Sequence, residues 1–303
     1  MQHSTAYRSR KETAENAPEP PVYERLPAPL AGSLTTFDRH NERVKLFGES
    51  PETLADPDAQ EILARRFVNN DNYSKLTVFA HPGDQDKWER LRFRKEAHIG
   101  GYFRDGSDAE VYARYSDDER AEDHTNGEAL EIALDKEPAA APELPEGYTA
   151  RIAGPDDVDA ISDLLLATFP EYPDDVSALA LRPLVARRAS IYILIEKEGQ
   201  IACMAAAQIN LGHSHAEISD CVTAEDHRGN GLILPAIHKL MKYVAHRKSI
   251  TDFYSMARAD VVAMNAALSR AGFTYGGKMV NDSRICDGLN SYNVWWRDAR
   301  DLS

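Results

Sequence analysis

Only three cysteines, Cys203, Cys221 and Cys286, occur in 303 residues. They stand far apart and in no CxxC or His-containing spacing, so neither a disulfide framework nor a metal site is expected. No apolar run approaches the ~20 residues that span a bilayer, and the opening MQHSTAYRSRKETAENAPEPP has neither the apolar segment nor the cleavage site of a secretory signal. A soluble, cytoplasmic protein is the expectation. Positive charge is also short: Lys+Arg 35 against Asp+Glu 49 leaves a formal net charge of −14. That balance argues against nucleic acid and against an anionic membrane surface as partners. Lysine is the scarcer base, 11 residues against 24 arginines, and an acidic, lysine-poor surface is one way to stay hydrated at high salt.

What is present reads as ordinary globular α/β protein, with 43% hydrophobic and 28% charged residues and length for two domains. Residues 1–29 are polar and proline-rich and read as a disordered arm. Residues 30–115 read as a smaller α/β domain. Ile62, Leu63, Phe67 and Val68 trace a helical stripe, SKLTVFAHP is a strand, Trp88 to Phe93 is helical, and EAHIGGYF and DAEVYARY are strands around RDGS. Residues 116–147 shift to charge runs and then Ala, Pro and Glu, as a linker would. From 148 to 303 the elements run β-α-β-β-β-α-β-α-β, a mixed α/β domain. Its first helix buries Val158, Ile161, Leu164, Leu165 and Phe169, and its hairpin turns at Glu198-Gly199.

The sharpest local feature is Arg228-Gly229-Asn230-Gly231-Leu232, between the strand HAEISDCVTA and a helix with the stripe Ile233, Ile237, Leu240, Met241 and Val244. Two glycines allow a tight turn that aims free backbone N–H groups from a helix N-terminus, a geometry that suits a pyrophosphate. Alone, such a run is equally an ordinary strand-to-helix turn. In context it resembles the acetyl-CoA loop of the GNAT N-acetyltransferases, Gln/Arg-x-x-Gly-x-Gly/Ala. Arg228 and Gly231 fit, and Ile233 departs from the last position. The resemblance implies a GNAT fold, a mostly antiparallel mixed sheet with flanking helices. It also implies that Val222 and Thr223, on a strand that splays from its neighbour, bind acetyl-CoA together with Arg228, Gly229, Asn230, Gly231, Leu232 and Asn265, with no metal. Many members carry a tyrosine acid four residues before the Gly-Phe pair. Here that position is Leu268.

A narrower resemblance, to the β-lysine N-acetyltransferases, spans about residues 31–300. It is carried by Glu217-Ile-Ser-Asp220-Cys-Val-Thr223, Ala257-Arg258-Ala259, Met264-Asn265, Tyr275-Gly276-Gly277, Asn281, Ile285-Cys286 and Ser291-Tyr-Asn293-Val-Trp295. In the first half it is carried by Gly32-Ser33, Asn41-Glu-Arg43, Tyr73-Ser-Lys75, Glu96-Ala97 and Gly101-Tyr-Phe103. It implies a small-molecule amine substrate: acetylation of the terminal amine of β-lysine to N-ε-acetyl-β-lysine, a compatible solute used in osmoadaptation. Other amines, a protein lysine, or acyl-CoA binding without turnover remain the alternatives. Glu217 is the expected general base, since a lysine-type ammonium with pKa ~10.4 must lose a proton before it attacks. Strand alternation places Ser219 and Thr223 on its face and Asp220 on the other. Asp220 either binds a substrate ammonium or braces the strand. Arg258 is the candidate clamp for the substrate carboxylate, and Asn281, Ser291 and Asn293 are candidates for orienting hydrogen bonds. The stretch WERLRFRKEAHIGGYFRDGSDAEVYARY is either the tail of a degenerate GNAT-like half without the cofactor loop or part of an unrelated α+β cap.

Overall fold

The computed structural model describes residues 18–32, 34–68, 72–248 and 250–302; Ser33 and residues 1–17 of the expected arm lie outside the described residues. The arm's remainder includes a strand, β1 (Val22–Glu24), paired with β2 (Thr35–Asp38). Four further strands complete the first half: β3 (Arg43–Phe47), β4 (Lys75–Ala80), β5 (Arg94–Ile99) and β6 (Ala109–Tyr115). The second half holds β7 (Thr149–Ile152), β8 (Ser190–Lys197), β9 (Gln200–Asn210), β10 (His215–Thr223), β11 (Asp252–Arg258), β12 (Thr274–Arg284) and β13 (Leu289–Asp298). All thirteen join one sheet in the order β1-β2-β3-β4-β6-β5-β12-β13-β11-β10-β9-β8-β7.

From residue 148 onward the mixed, mostly antiparallel α/β architecture expected from the sequence is present, with β10 and β11 its parallel pair. The β8–β9 hairpin turns where anticipated, with Glu198 at φ 53° and Gly199 at φ 80°, the two positive angles of a type I′ turn. Helix Ile233–Lys248 lays Ile237, Leu240, Met241 and Val244 on the sheet with Ile191, Ile193, Ala205 and Phe253. Helix Val158–Thr168 covers the other face through Val158, Ile161 and Leu165. Helix Ala178–Ala186, with Pro183 inside it, and strand β12 were not anticipated.

The segment read as a linker is a packed strap. It contains helices Asp118–Ala121 and Glu128–Leu134. Ala139 N donates to Arg270 O at 2.8 Å and Ser269 Oγ to Lys136 O at 3.0 Å, which ties the strap to helix Val262–Arg270.

The first half repeats the pairing of the second. β2–β3 is an antiparallel hairpin, β3–β4 is parallel, and β4–β6 and β6–β5 are antiparallel. β9–β10, β10–β11, β11–β13 and β13–β12 follow the same sequence of senses. Even a register shift recurs: it falls between Lys95 and Ala97 on β5 and between Tyr275 and Gly277 on β12. The halves meet where these shifts lie, with Gly277 paired antiparallel to Ala97. A Cβ on Gly277, whose φ is 134°, would stand 2.3 Å from Glu96 O, and one on Gly276 would stand 2.0 Å from His98 O. Only glycine permits so close a backbone approach.

Buried charge locks the joint. Lys75 Nζ, fully buried, lies 2.8 Å from Glu96 Oε2 and 3.2 Å from Asp282 Oδ1, and donates to Val280 O at 2.8 Å. Asp282 also pairs with Arg43, whose Nε reaches Asp38 at 2.8 Å. Burial alone would push the Asp282 carboxyl up, but Arg43 and Lys75 outweigh it and hold the group well below the usual range. Removing one partner of a buried ion pair costs about 3–5 kcal/mol, because the other charge is stranded. Lys75→Met is therefore expected to lose about that much in urea unfolding, and a loss below about 1 kcal/mol would show that the joint does not depend on it.

Candidate active site

A cavity of about 1180 Å³ lies between the halves. Along β3 the residues alternate: Val44 and Leu46 enter the core of the first half, while Arg43, Lys45 and Phe47 line the cavity. From the second half come Glu217, Ser219, Asp220 and Cys221 of β10, Met256 and Arg258 of β11, Tyr292 of β13, and Tyr172 and Asp174 from the segment after helix Val158–Thr168.

The parallel ladder between β10 and β11 pairs His215, Ala216 and Glu217 with Asp252, Phe253 and Tyr254, and its register goes no further. Beyond that point the strands part, as the resemblance implied for the strand carrying Val222 and Thr223. A bulge between Ser219 and Val222, with Asp220 at φ 47°, breaks β10's alternation just after the split. This corrects the expectation that Asp220 faces away from Glu217. The extra residue turns it, so Glu217, Ser219 and Asp220 all line the cavity.

Glu217 sits at the apex of the split. Its Oε2 accepts a hydrogen bond from Tyr254 Oη at 2.8 Å. Burial pushes its pKa up, and the Tyr254 hydroxyl and the Lys45 ammonium pull against that only in part. Two register positions earlier, His215 is buried against Tyr102, its Nδ1 2.8 Å from Tyr102 O, and burial lowers its pKa to about 4. A neutral imidazole and a carboxylate with raised proton affinity thus occupy adjacent parts of one wall. A carboxylate so placed can take a proton from a cation that enters.

Asp220 is otherwise engaged. Tyr172 Oη donates to its Oδ1 at 2.6 Å and Tyr192 Oη to its Oδ2. Of the two readings open for it, the bracing one has the contacts.

The loop after β10 presents Gly229 at φ 80° and Gly231 at φ 69°, with open space where a Cβ would project at each. Arg228 Nε donates to Thr223 O at 3.3 Å and Asn230 Nδ2 to His227 O at 3.0 Å, folding the exposed loop back on the strand end. Leu232 is buried beneath it. The loop thus has both glycines in left-handed conformation and unobstructed space ahead of a helix start.

Four other sequence candidates lie elsewhere. Asn265 is fully buried; its Nδ2 donates to Arg258 O and Val261 O, both at 2.8 Å, and its Oδ1 accepts from Asn293 and Trp295. Asn293, also fully buried, has that contact as its role. Asn281 donates to Arg120 O and Glu122 O, and Ser291 to Asp123, so both fasten the strap. None of the four lines the cavity, because these polar side chains, Asn265 on a helix and the others on strands, are spent on partners within the fold. Arg258 does reach the cavity, with its guanidinium already forked onto Asp260 at 2.8 and 3.1 Å. Leu268 is buried in the core, so no acid acts from that position. Sequence reasoning missed Tyr254, Tyr172, Tyr192, Asp174 and Lys45. Tyr254 alone had a signal, through the pairing of the two adjacent strands. Among the described residues no group of three or more His, Cys, Asp or Glu is placed to hold a metal ion.

Comparison with known proteins gives these geometries a context. Residues 158–273 match the model of the acetyltransferase (GNAT) family. The chain is 30% identical over 232 residues to N-acetyltransferase YodP of Bacillus subtilis, covering 75% of this chain and 83% of the relative. It is 27% identical over 257 residues to the β-lysine N(6)-acetyltransferase of Methanosarcina mazei, covering 77% and 94%. To the enzyme of that name in Methanococcus maripaludis it is 26% identical over 161 residues, covering 51% and 56%.

The buried Glu217 carboxylate has a stability consequence with a definite sign. Its pKa is raised on folding, so between the unfolded and folded values the folded state holds the extra proton, and stability falls as pH rises through that window. Glu217→Gln removes the charge and keeps an acceptor for Tyr254. The Gln protein is expected to match or exceed the parent in urea unfolding at pH 7, with the difference shrinking toward pH 4. A Gln protein about 1 kcal/mol or more less stable at pH 7 would make the carboxylate a structural partner instead.

Proposed function

We propose that this chain, which belongs to the GNAT acetyltransferase family, transfers the acetyl group of acetyl-CoA to the terminal amine of β-lysine, yielding N-ε-acetyl-β-lysine, a compatible solute. The observation that carries the reading is Glu217, a desolvated carboxylate at the point where β10 and β11 separate, facing a cavity walled by both halves. The relatives named for β-lysine support the substrate. So does a wall that offers carboxylates and cations together, as a zwitterion with two ammonium groups requires.

In this reading the loop Arg228–Leu232 holds the pyrophosphate through its amides, and the gap beyond Glu217 admits the pantetheine arm along Val222 and Thr223. Acetyl-CoA supplies the activated thioester. Glu217 accepts a proton from the acceptor's terminal ammonium, and Tyr254 holds the carboxylate toward the cavity. The freed lone pair attacks the acetyl carbon. Backbone N–H groups near Val222, exposed by the bulge, meet the developing oxyanion. As the C–N bond forms and the C–S bond breaks, the attached nitrogen gives up its remaining excess proton and the departing thiolate takes it, leaving a neutral amide and the CoA thiol. Asp174, exposed on the cavity rim, receives the second ammonium.

Two measurements test this. With β-lysine, α-lysine, ornithine and a lysine-containing peptide in competition, β-lysine is expected to lead by ~10²-fold in kcat/KM, with the acetyl group on the terminal nitrogen by NMR. Equal or better turnover of the peptide would sink the substrate, and binding without turnover of any amine would sink the reaction. Second, Glu217→Gln is expected to lower kcat by about 10²-fold near pH 7, with the deficit closing as pH rises and free amine becomes abundant. A pH–rate profile that matches the parent's would remove Glu217 from the mechanism.

A further inference from the structure

We infer that Lys45, contributed by the first half, anchors the carboxylate of the acceptor and so selects amino acids over plain amines; the inference rests on the acetyltransferase reading above. Its basis is the repeated topology. In the first half's parallel ladder, Arg43, Val44 and Lys45 of β3 pair with Lys75, Leu76 and Thr77 of β4. In the second half, His215, Ala216 and Glu217 of β10 pair with Asp252, Phe253 and Tyr254 of β11. The antiparallel ladders beside them start in step, Lys75 on Tyr115 and Asp252 on Asp298. Lys45 therefore occupies in the first half the place that Glu217 occupies in the second. The two halves meet in an antiparallel pairing of corresponding residues, Ala97 and Gly277, so the corresponding positions look into one shared cavity. Where one half offers a carboxylate to an ammonium, the other offers an ammonium to a carboxylate.

The remaining cations of the cavity-facing strands are already matched. Arg43 is paired with Asp38 and Asp282, and Arg258 is forked onto Asp260. Lys45 makes no ion pair or hydrogen bond among the described residues, although it feels the fields of Asp282, Asp38 and Glu217. Burial and the adjacent Arg43 lower its pKa, the condition of an ammonium short of a counter-charge. Thr36, Phe47, Tyr102 and Gln208 line the cavity near it and bring no formal charge. An incoming carboxylate would be that missing counter-charge. It would also screen Glu217 from Lys45 and so add to the carboxylate's already raised proton affinity when an acceptor is bound.

The test compares β-lysine with 1,4-diaminopentane, which is β-lysine without its carboxylate. The parent is expected to prefer β-lysine, and Lys45→Met to lower the ratio of kcat/KM on β-lysine to kcat/KM on 1,4-diaminopentane by ~10²-fold, chiefly through a higher KM for β-lysine. Lys45→Arg should recover much of the β-lysine rate, since the charge returns. An equal loss on both amines, or no loss on β-lysine, would overturn the assignment. If the parent ignores β-lysine and acetylates another amino acid, the substrate reading fails, and the same comparison with that compound and its decarboxylated form decides Lys45. A parent that accepts only amines without a carboxylate overturns both.

Discussion

Asp282 is the charged hub at which the two halves of the molecule join. It is a fully buried carboxylate on β12, clasped by Arg43 from β3 and Lys75 from β4, and it stands where one half of the sheet becomes the other. Around it the halves also share the backbone contact at Gly277 and an apolar cluster of Phe79, Ile99, Tyr102, Met279 and Val294, but the clasp is where charge crosses the joint fully buried. With it, β3 is fixed relative to β10, and the cavity between them has a defined width and a defined charge. Apolar side chains at the same positions would hold the halves as firmly. What the charges add is direction: Arg43 is pulled toward Asp38 and Asp282 and out of the acceptor's way, while Lys45, two residues on, is left unmatched.

The chemistry then follows from a ladder that stops early. β10 and β11 share three register pairs and part, so Glu217 lies at the last paired position with a gap beyond it. The bulge that follows re-aims Asp220, whose carboxylate is bound by Tyr172 and Tyr192 and stiffens the lip of the gap. Glu217 has one hydroxyl partner, and burial leaves it with a raised proton affinity. That arrangement sacrifices stability for reactivity, a balance common to sites that must move protons.

Legibility in the sequence tracked burial pattern. The second half was readable because its strands and helices are apolar on the faces they bury, as in IYILIEKEGQIACMAAAQI and the stripe from Ile237 to Val244, and because the two glycines of the loop mark a turn that needs positive φ. β2 and β3 were invisible for the opposite reason. Their cavity faces are Thr36, Asp38, Arg43 and Lys45, so TTFDRHNERVKLF carries polar and charged residues on the face of each strand that looks into the cavity and gives no apolar run to mark it. The same cause hid Lys45. Asn265, Asn281, Ser291 and Asn293 show a different limit: their polarity was visible, but whether a polar side chain meets a ligand or a neighbouring backbone depends on contacts made far along the chain, such as Asn281 with Arg120 and Glu122. Alternation failed at Asp220 because a bulge leaves no mark in composition.

In the proposed reaction the acceptor is held between β10 of the second half and β3 of the first, with acetyl-CoA entering from the open side of the β10–β11 gap. A crystal structure of the protein with CoA and β-lysine bound together tests it most directly. The account requires the CoA pyrophosphate against the amides of Arg228–Leu232, the thiol in the gap beside Ser219 and Cys221, the terminal amine within hydrogen-bonding reach of Glu217, and the acceptor carboxylate turned toward the first half. An acceptor bound wholly within residues 148–303, out of contact with β3, would contradict it.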